Sequence, residues 1–136
     1  MSKNLIHART CVYNINYHVV WSVKYRKPVL TYQMELMLLP ELQQIAIENN
    51  FTIDKLSFGD NDHVHCFVSA PPKIDISTIV KILKGCSARI LFKHFPDIKS
   101  KLRKGVLWNH SYYVETIGSV SEDAIRMYIE KQTNSY

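Results

Sequence analysis

The sequence predicts an α+β domain of the ferredoxin-like (RRM-like) class, an antiparallel sheet with two helices on one face. Four segments have the character of strands: one alternates apolar and polar residues, and the other three are rich in residues that favour strands. Two longer segments carry apolar residues at helical spacing, one after the first strand and one after the third. The resulting β-α-β-β-α-β order is that of a split β-α-β unit. A further helical segment near the C-terminus predicts an extra helix beyond this unit.

Length and composition favour one globular domain spanning residues 1–136. Hydrophobic residues make up 46% of the chain and charged residues 21%, and no apolar run approaches the roughly 18 residues of a membrane span. We expect a soluble, cytoplasmic protein without a membrane partner, because no apolar signal core follows Met1 and the three cysteines do not suggest a disulfide framework. The net charge of +5 permits a polyanionic partner without requiring one.

The first half of the chain contains two strands separated by a helix. The predicted elements are a strand from Thr10 to Ser22, a helix from Thr31 to about Asn49, a strand from Phe51 to Phe58 and a turn over Gly59–Asp62. Pro40 lies inside the helical pattern and predicts a kink or a restart there. In the first strand, a polar face is formed by Asn14, Asn16, His18 and Ser22.

The second half repeats the alternation of strand and helix. The predicted elements are a strand over 62–68, a helix from Asp75 to Phe95, a strand from Val106 to Ile117 and a helix from about Val120 to Gln132. Ser119 and Glu122 have the spacing of a capping box, which predicts the start of the last helix.

Two histidines stand two residues apart in the third strand. Successive strand side chains point to opposite faces, so His63 and His65 share a face with Phe67. Val64, Cys66 and Val68 share the other face, and if they pack on the helices the histidines lie on the opposite side of the sheet. A single histidine is commonly a structural residue, but two on one face can converge on a metal ion.

Tyr128 and Gln132 are four residues apart on the last predicted helix and therefore face the same way. A tyrosine can act as a covalent nucleophile, and a glutamine oxygen can join two imidazole nitrogens around a six-coordinate ion. The alternatives are a core residue for Tyr128 and a solvated helix terminus for Gln132.

Basic residues cluster at three places that could contact phosphates. Solvated turns and helix faces are the usual explanation of such residues when each is taken alone. The candidate DNA contacts are Lys24, Arg26, Lys81, Lys84, Lys99, Lys101, Arg103 and Lys104.

The chain resembles the small single-strand DNA transposases of the insertion sequence 200/605 family. These are one-tyrosine members of the HUH endonuclease superfamily, named for a histidine, a hydrophobic residue and a histidine. The resemblance covers almost the whole chain, although family members usually have proline where this chain has Asn61. It is carried by His63-Val64-His65, Tyr128 to Gln132, His18-Val19-Val20-Trp21, Lys24-Tyr25-Arg26, Lys84-Gly85-Cys86-Ser87, Trp108-Asn109 and Ser111-Tyr112-Tyr113.

The resemblance implies a metal-dependent enzyme that cleaves and rejoins single-stranded DNA at hairpin-marked element ends. His63, His65 and Gln132 would hold Mg²⁺ or Mn²⁺, and Tyr128 would form a 5′-phosphotyrosine link and leave a free 3′-OH. It also implies a homodimer in which the tyrosine helix of one subunit can complete the histidine site of the other, with Gly118 as the hinge. DNA hairpins are the implied partners.

Two other functions fit the same sequence. One is a domesticated relative that processes palindromic chromosomal repeats, which genomic context would distinguish. The other is a non-catalytic module that binds single-stranded nucleic acid on an RRM-like sheet. Such a sheet would expose stacking aromatics, whereas this chain places imidazoles on the open face.

Overall fold

The computed structural model describes residues 5–118 and residue 130 of the chain. Its helices and strands follow the predicted order, with two short additional strands at the start. The elements are β1 (Ile6–His7), β2 (Val12–Tyr13), β3 (Asn16–Ser22), α1 (Tyr32–Glu48), β4 (Thr52–Gly59), β5 (His63–Ser69), α2 (Ile76–His94) and β6 (Tyr113–Ile117).

The main sheet has four strands in the order β4-β5-β3-β6, and every neighbouring pair is antiparallel. This order confirms the predicted ferredoxin-like fold, because the two strands of each β-α-β unit are separated by one inserted strand. β3 and β5 are therefore the central pair. Side chains from β6, β3 and β5 can meet on one face although they are far apart in the sequence.

One face of the sheet and the two helices enclose the hydrophobic core. Val64, Cys66 and Val68 of β5 are fully buried there, as the alternation predicted. The buried stripes of the helices join them; α1 contributes Leu38, Leu42 and Ala46, and α2 contributes Ile79, Leu83 and Leu91.

Side-chain caps define where both helices begin. The Thr31 hydroxyl accepts a hydrogen bond from the backbone N–H of Met34 (3.3 Å), and the Asp75 carboxylate accepts one from the backbone N–H of Thr78 (2.8 Å). Each cap satisfies an N–H group that has no partner within the helix.

Pro40 lies inside α1, and the helix continues past it without the restart that the sequence suggested. Proline removes one hydrogen bond, to the carbonyl of residue 36. Leu36 and Pro40 are both exposed, so water can satisfy that carbonyl. The helix therefore tolerates the proline on its solvent side.

The hairpin between β4 and β5 turns through Asp60 and Asn61, which both have positive φ (50° and 61°). The Gly59 carbonyl accepts a hydrogen bond from the Asp62 N–H (3.0 Å), so the turn is of type I′, the geometry that suits the twist of a hairpin. Proline cannot adopt the φ of Asn61. This chain therefore has Asn61, where family members usually have proline, in a turn that proline could not form.

The first predicted strand, Thr10 to Ser22, was too long. Val12–Tyr13 pairs with Ile6–His7 in a separate two-stranded sheet, and the central strand begins only at Asn16. The polar and apolar alternation runs through both segments, but it carries no information about which strand each segment pairs with.

The last predicted strand, Val106 to Ile117, was also too long, since β6 comprises only Tyr113–Ile117. Trp108 forms an isolated bridge with Val23 and is buried. Its indole N–H donates a hydrogen bond to the Ser87 hydroxyl of α2 (3.0 Å). The residues that suggested a strand are thus a connection packed against the helix, because burial of a tryptophan does not require sheet pairing.

The predicted helix from Val120 to Gln132 lies outside the described residues, except for Glu130. Within 5–118 and 130, no helix is long and apolar enough to cross a bilayer.

Candidate metal centre

His63 and His65 lie on the sheet face opposite the core, as the strand alternation predicted. Both are almost fully buried, with exposures of 3% and 1%. Their Nε2 atoms are 3.1 Å apart, and their rings meet edge to face at a centroid distance of 4.9 Å. The two imidazoles therefore converge through the same ring nitrogen.

Asp62 fixes the ring of His63. Its Oδ1 lies 2.7 Å from His63 Nδ1, and because an ionised carboxylate only accepts hydrogen bonds, Nδ1 carries a proton, which in a neutral imidazole leaves the lone pair on Nε2. Arg26 holds the same carboxylate from the other side, with Nε 3.1 Å from Oδ2 and Nη2 3.3 Å from Oδ1. Arg26 itself has a positive φ of 53°, a conformation that costs free energy and is seen mostly at functional sites.

Gly59 makes room for the His63 ring. It pairs with His63 across β4 and β5, and a Cβ atom there would lie 2.5 Å from His63 Cε1 and closer still to Nε2. Any larger residue would have to displace the imidazole. The last residue of β4 is therefore part of the site.

The sequence analysis missed two residues that extend the site, His18 of β3 and Glu115 of β6. His18 Nε2 is 3.0 Å from His65 Nδ1, and His18 Nδ1 is 3.2 Å from Glu115 Oε2. His18 is 2% exposed and stacks on Phe67 with a centroid distance of 4.4 Å. The sequence signals for His18 were its place on the polar face of the first predicted strand and its place in the His18-Val19-Val20-Trp21 segment of the family resemblance.

Burial favours the neutral forms of His65 and His18. It is the main reason that the pKa of His65 falls from 6.5 to about 4, and the nearby His63 and His18 lower it further. Burial also lowers the pKa of His18, while the hydrogen bond and charge of Glu115 oppose that change. A neutral imidazole has a free ring nitrogen that can coordinate a metal.

The donor set suits a divalent cation. In an octahedral ion with bonds of about 2.1 Å, adjacent ligand atoms are about 3 Å apart, which matches the separation of the two Nε2 atoms. A carboxylate behind a ligating histidine, as Asp62 is behind His63, is the usual support of a metal-binding imidazole. Across residues 5–118 and 130, no group of three or more His, Cys, Asp or Glu side chains could hold an ion.

The predicted nucleophile Tyr128 and the predicted third ligand Gln132 both lie outside the described residues. Their roles therefore stay predictions.

A cavity of about 290 Å³ opens beside His63. It lies between the end of β3, the segment that carries Arg26 and the residues that lead into β6. Its walls are formed by Val20, Trp21, Ser22, Arg26, His63, Ser111, Tyr112 and Tyr113. A ligand in this space would contact both aromatic and cationic side chains.

The predicted DNA contacts occupy different environments. Four of them, Lys99, Lys101, Arg103 and Lys104, are exposed on two short 3₁₀ turns that follow α2. Lys81 is exposed on α2, Arg26 is exposed beside Asp62, and Lys24 is half-buried with its ammonium 5.8 Å from the Tyr25 ring centroid. Contact of these residues with DNA stays a prediction.

Lys84 has a structural role that the sequence did not suggest. Its ammonium donates hydrogen bonds to the carbonyls of Asn109 (2.6 Å), His110 (3.1 Å) and Ser111 (3.4 Å). Partial burial lowers its pKa. In this structure the charge of Lys84 is directed at the backbone of the connection before β6.

Sequence comparison relates the chain to transposases. A family model described as "Transposase IS200 like" matches residues 11–132. The ISDra2 transposase TnpA of Deinococcus radiodurans is 40% identical over 124 residues, which cover 91% of this chain and 88% of the relative. The transposase for insertion sequence element IS200 of Salmonella typhimurium is 32% identical over 130 residues, which cover 96% of this chain and 82% of the relative.

Solved structures share the fold. A crystal structure of a Deinococcus radiodurans R1 protein assigned as a transposase aligns with a TM-score of 0.75 at 38% identity, covering 93% of this chain and 97% of that one. A REP-associated tyrosine transposase bound to a REP hairpin aligns with a TM-score of 0.56, covering 93% of this chain and 69% of that one. At 13% identity the second likeness concerns the fold alone.

Proposed function

The chain belongs to the IS200-like transposase family, and from this premise we propose that it cleaves and rejoins single-stranded DNA through Tyr128 with the help of a divalent cation. The observation that carries the proposal is the convergence of His63 Nε2 and His65 Nε2 at 3.1 Å on the sheet face opposite the core. Two buried imidazoles directed at one point fit an ion better than they fit a purely structural role.

His63 and His65 would hold Mg²⁺ or Mn²⁺ together with the side-chain oxygen of Gln132. The ion would withdraw charge from a phosphate oxygen and so make the phosphorus a better electrophile. Asp62 keeps His63 in the tautomer that presents Nε2, and Arg26 holds Asp62 in place. The family resemblance is the reason for proposing Gln132 as the third ligand.

Tyr128 would act as the nucleophile. Its phenolic oxygen would lose its proton and form a bond to phosphorus while the bond from phosphorus to the 3′ oxygen breaks. A proton would be transferred to the 3′ oxygen in exchange, which leaves a free 3′-OH. The product is a 5′-phosphotyrosine link, which conserves the energy of the phosphodiester. Attack on such a link by another 3′-OH would rejoin strands without hydrolysis and without a nucleotide cofactor.

Hairpins near the ends of the element are the proposed DNA partners. The exposed cations at Lys99, Lys101, Arg103 and Lys104 suit a phosphate backbone, which supplies affinity rather than sequence information. The cavity beside His63 has aromatic and cationic walls, which suit an unpaired nucleotide next to the cleaved phosphate. We also propose a homodimer, as the family resemblance implies.

A non-catalytic RRM-like binding module is less well supported. Such modules stack bases on exposed aromatic side chains of the open sheet face. Phe67 lies on that face but is 3% exposed and stacked on His18. The site instead concentrates buried imidazoles at its centre.

Denaturing gel electrophoresis would test the nucleophile. The protein is incubated with Mg²⁺ and labelled single-stranded DNA that carries its own flanking hairpins. We expect the natural chain to form a covalent protein–DNA adduct and Tyr128→Phe to form none, because phenylalanine keeps the ring but lacks the attacking oxygen. Hairpin binding by Tyr128→Phe in a native gel should be unchanged.

Tyr32→Phe is the matched control. Tyr32 is 69% exposed at the start of α1, so its substitution should leave the adduct yield as it is. An adduct of undiminished yield with Tyr128→Phe would rule out Tyr128 as the nucleophile. Adduct formation that persists in excess chelator would rule out the metal ion.

A further inference from the structure

We propose that Glu115 and His18 are positioning residues that fix the tautomer of His65, so that its Nε2 presents a lone pair toward the point where it meets His63 Nε2. That this lone pair holds an ion rests on the proposed function. The assignment of the tautomer does not depend on the proposed function. The two residues lie outside the predicted metal and nucleophile set.

A chain of hydrogen bonds runs across three strands of the sheet. Glu115 Oε2 is 3.2 Å from His18 Nδ1, and His18 Nε2 is 3.0 Å from His65 Nδ1. The other carboxylate oxygen, Oε1, accepts a hydrogen bond from the Tyr113 hydroxyl (2.8 Å). Glu115 is therefore held as an acceptor at both of its oxygens.

The protonation pattern follows from the acceptor at the end of this chain. An ionised carboxylate cannot donate, so His18 must donate from Nδ1. A neutral His18 then has an acceptor at Nε2, which requires His65 to donate from Nδ1. His65 is left with its lone pair at Nε2, the atom that faces His63.

Packing holds the His18 ring in the required orientation. The ring lies parallel to Phe67 with an interplanar angle of 6°, and nearly parallel to His65 with an angle of 17°. His18 pairs with Glu115 on β6 and with Phe67 on β5 in the sheet register. A ring flip would have to break both the stacking and the two hydrogen bonds.

His63 and His65 are each supported by a carboxylate. Asp62 acts directly on His63 Nδ1, while Glu115 acts on His65 Nδ1 through the ring of His18. Both carboxylates thus leave Nε2 unprotonated on the imidazole that they support. The two Nε2 atoms, 3.1 Å apart, are within hydrogen-bond distance, so either a proton or a divalent cation can lie between them, and under the proposed function the cation takes that place.

Long-range ¹H–¹⁵N NMR of the full-length, metal-free protein reads the tautomer directly. At slightly alkaline pH we expect His65 to be protonated at Nδ1 in the natural chain. A spectrum with His65 protonated at Nε2 would overturn the proposal, whether or not the protein binds metal. Glu115→Met removes the terminal acceptor and should give a mixture of the two tautomers; an unchanged spectrum would exclude Glu115 from the chain.

Two substitutions of His18 distinguish its role in positioning His65 from its role in packing. His18→Phe keeps a flat ring on Phe67 but has no acceptor, whereas His18→Gln loses the ring but can place an amide oxygen near the position of Nε2. We expect Mn²⁺ affinity, measured by electron paramagnetic resonance without DNA, to fall about 10- to 100-fold in His18→Phe. His18→Gln should retain most of the affinity, since it preserves the acceptor for His65 Nδ1.

If His18 had a purely structural role, His18→Phe would bind Mn²⁺ more tightly than His18→Gln. That result would overturn the proposal. If the natural chain shows His65 protonated at Nδ1 but binds no Mn²⁺, the tautomer assignment holds and the proposed ion does not. Should His18→Phe fail to fold, the spectra of the natural chain, Glu115→Met and His18→Gln still decide the question.

Discussion

Single residues around the imidazole pair decide its geometry. Gly59 is the clearest case, because its missing side chain is the space in which the His63 ring lies. Interiors are packed tightly enough that one added methyl group displaces its neighbours. The glycine at the end of β4 therefore has a role in the site as well as in the turn that follows.

We predict that Gly59→Ala lowers Mn²⁺ affinity by at least about tenfold, because the new methyl group would push His63 Nε2 away from His65 Nε2. The affinity can be measured by isothermal titration calorimetry. We expect overpacking to cost about 1–3 kcal/mol of the free energy of unfolding.

Gly85→Ala is the matched control for that experiment. Gly85 lies inside α2, and a Cβ atom there would meet nothing within 4 Å. This substitution should leave Mn²⁺ affinity unchanged and stabilise the protein by about 0.5–1 kcal/mol. Unaltered Mn²⁺ affinity in Gly59→Ala would show that the His63 ring can move without loss of the site.

At the scale of elements, the connection from α2 to β6 is fixed by polar contacts from the helix. The Lys84 ammonium binds three successive carbonyls, and the Ser87 hydroxyl accepts a hydrogen bond from the Trp108 indole. These contacts order the residues that lead into β6 and that form part of the wall of the cavity. One turn of α2 thus positions a strand and part of the candidate site.

We predict that Lys84→Met destabilises the protein by about 1–3 kcal/mol, because hydrogen bonds from a charged donor are lost while the aliphatic stem is kept. Urea unfolding followed by circular dichroism would measure the change. Lys81→Met is the control, since Lys81 is exposed on the same helix, and it should change the free energy of unfolding by less than about 0.5 kcal/mol. Equal stability of the two variants would restore Lys84 to the set of residues whose charge is available for DNA.

At the scale of the whole molecule, the proposed function requires Tyr128 to reach a histidine pair, either in its own chain or, in the proposed homodimer, in a second chain. His63 and His65 are fixed by the sheet of one chain. The family resemblance implies that the tyrosine helix of a second chain can complete that site. Complementation between inactive variants distinguishes the two arrangements.

We predict that a mixture of His63→Ala and Tyr128→Phe proteins forms the covalent DNA adduct although neither variant does so alone. In a mixed dimer with exchanged helices, one site combines intact histidines with an intact tyrosine. If each chain completes its own site, every site in the mixture lacks one group and no adduct appears. The yield of adduct on a denaturing gel is the measurement, with each variant alone as its control.

The sequence by itself determined the order of strands and helices and the face on which His63 and His65 lie. Both follow from local periodicity, since alternation in a strand assigns each side chain to a face whatever the strand pairs with. The hairpin turn and the buried stripes of both helices are also local properties. The family resemblance added the proposed partners of the two histidines.

Only the tertiary structure decided what surrounds the histidine pair. Residues 18, 65 and 115 meet because β3 lies between β5 and β6 in a particular register, and no periodicity within one segment encodes that register. For the same reason the sequence made the first and last strands too long and did not indicate the backbone carbonyls that Lys84 contacts. Strand ends and hydrogen-bond partners depend on contacts between distant segments, which form only when the chain is folded.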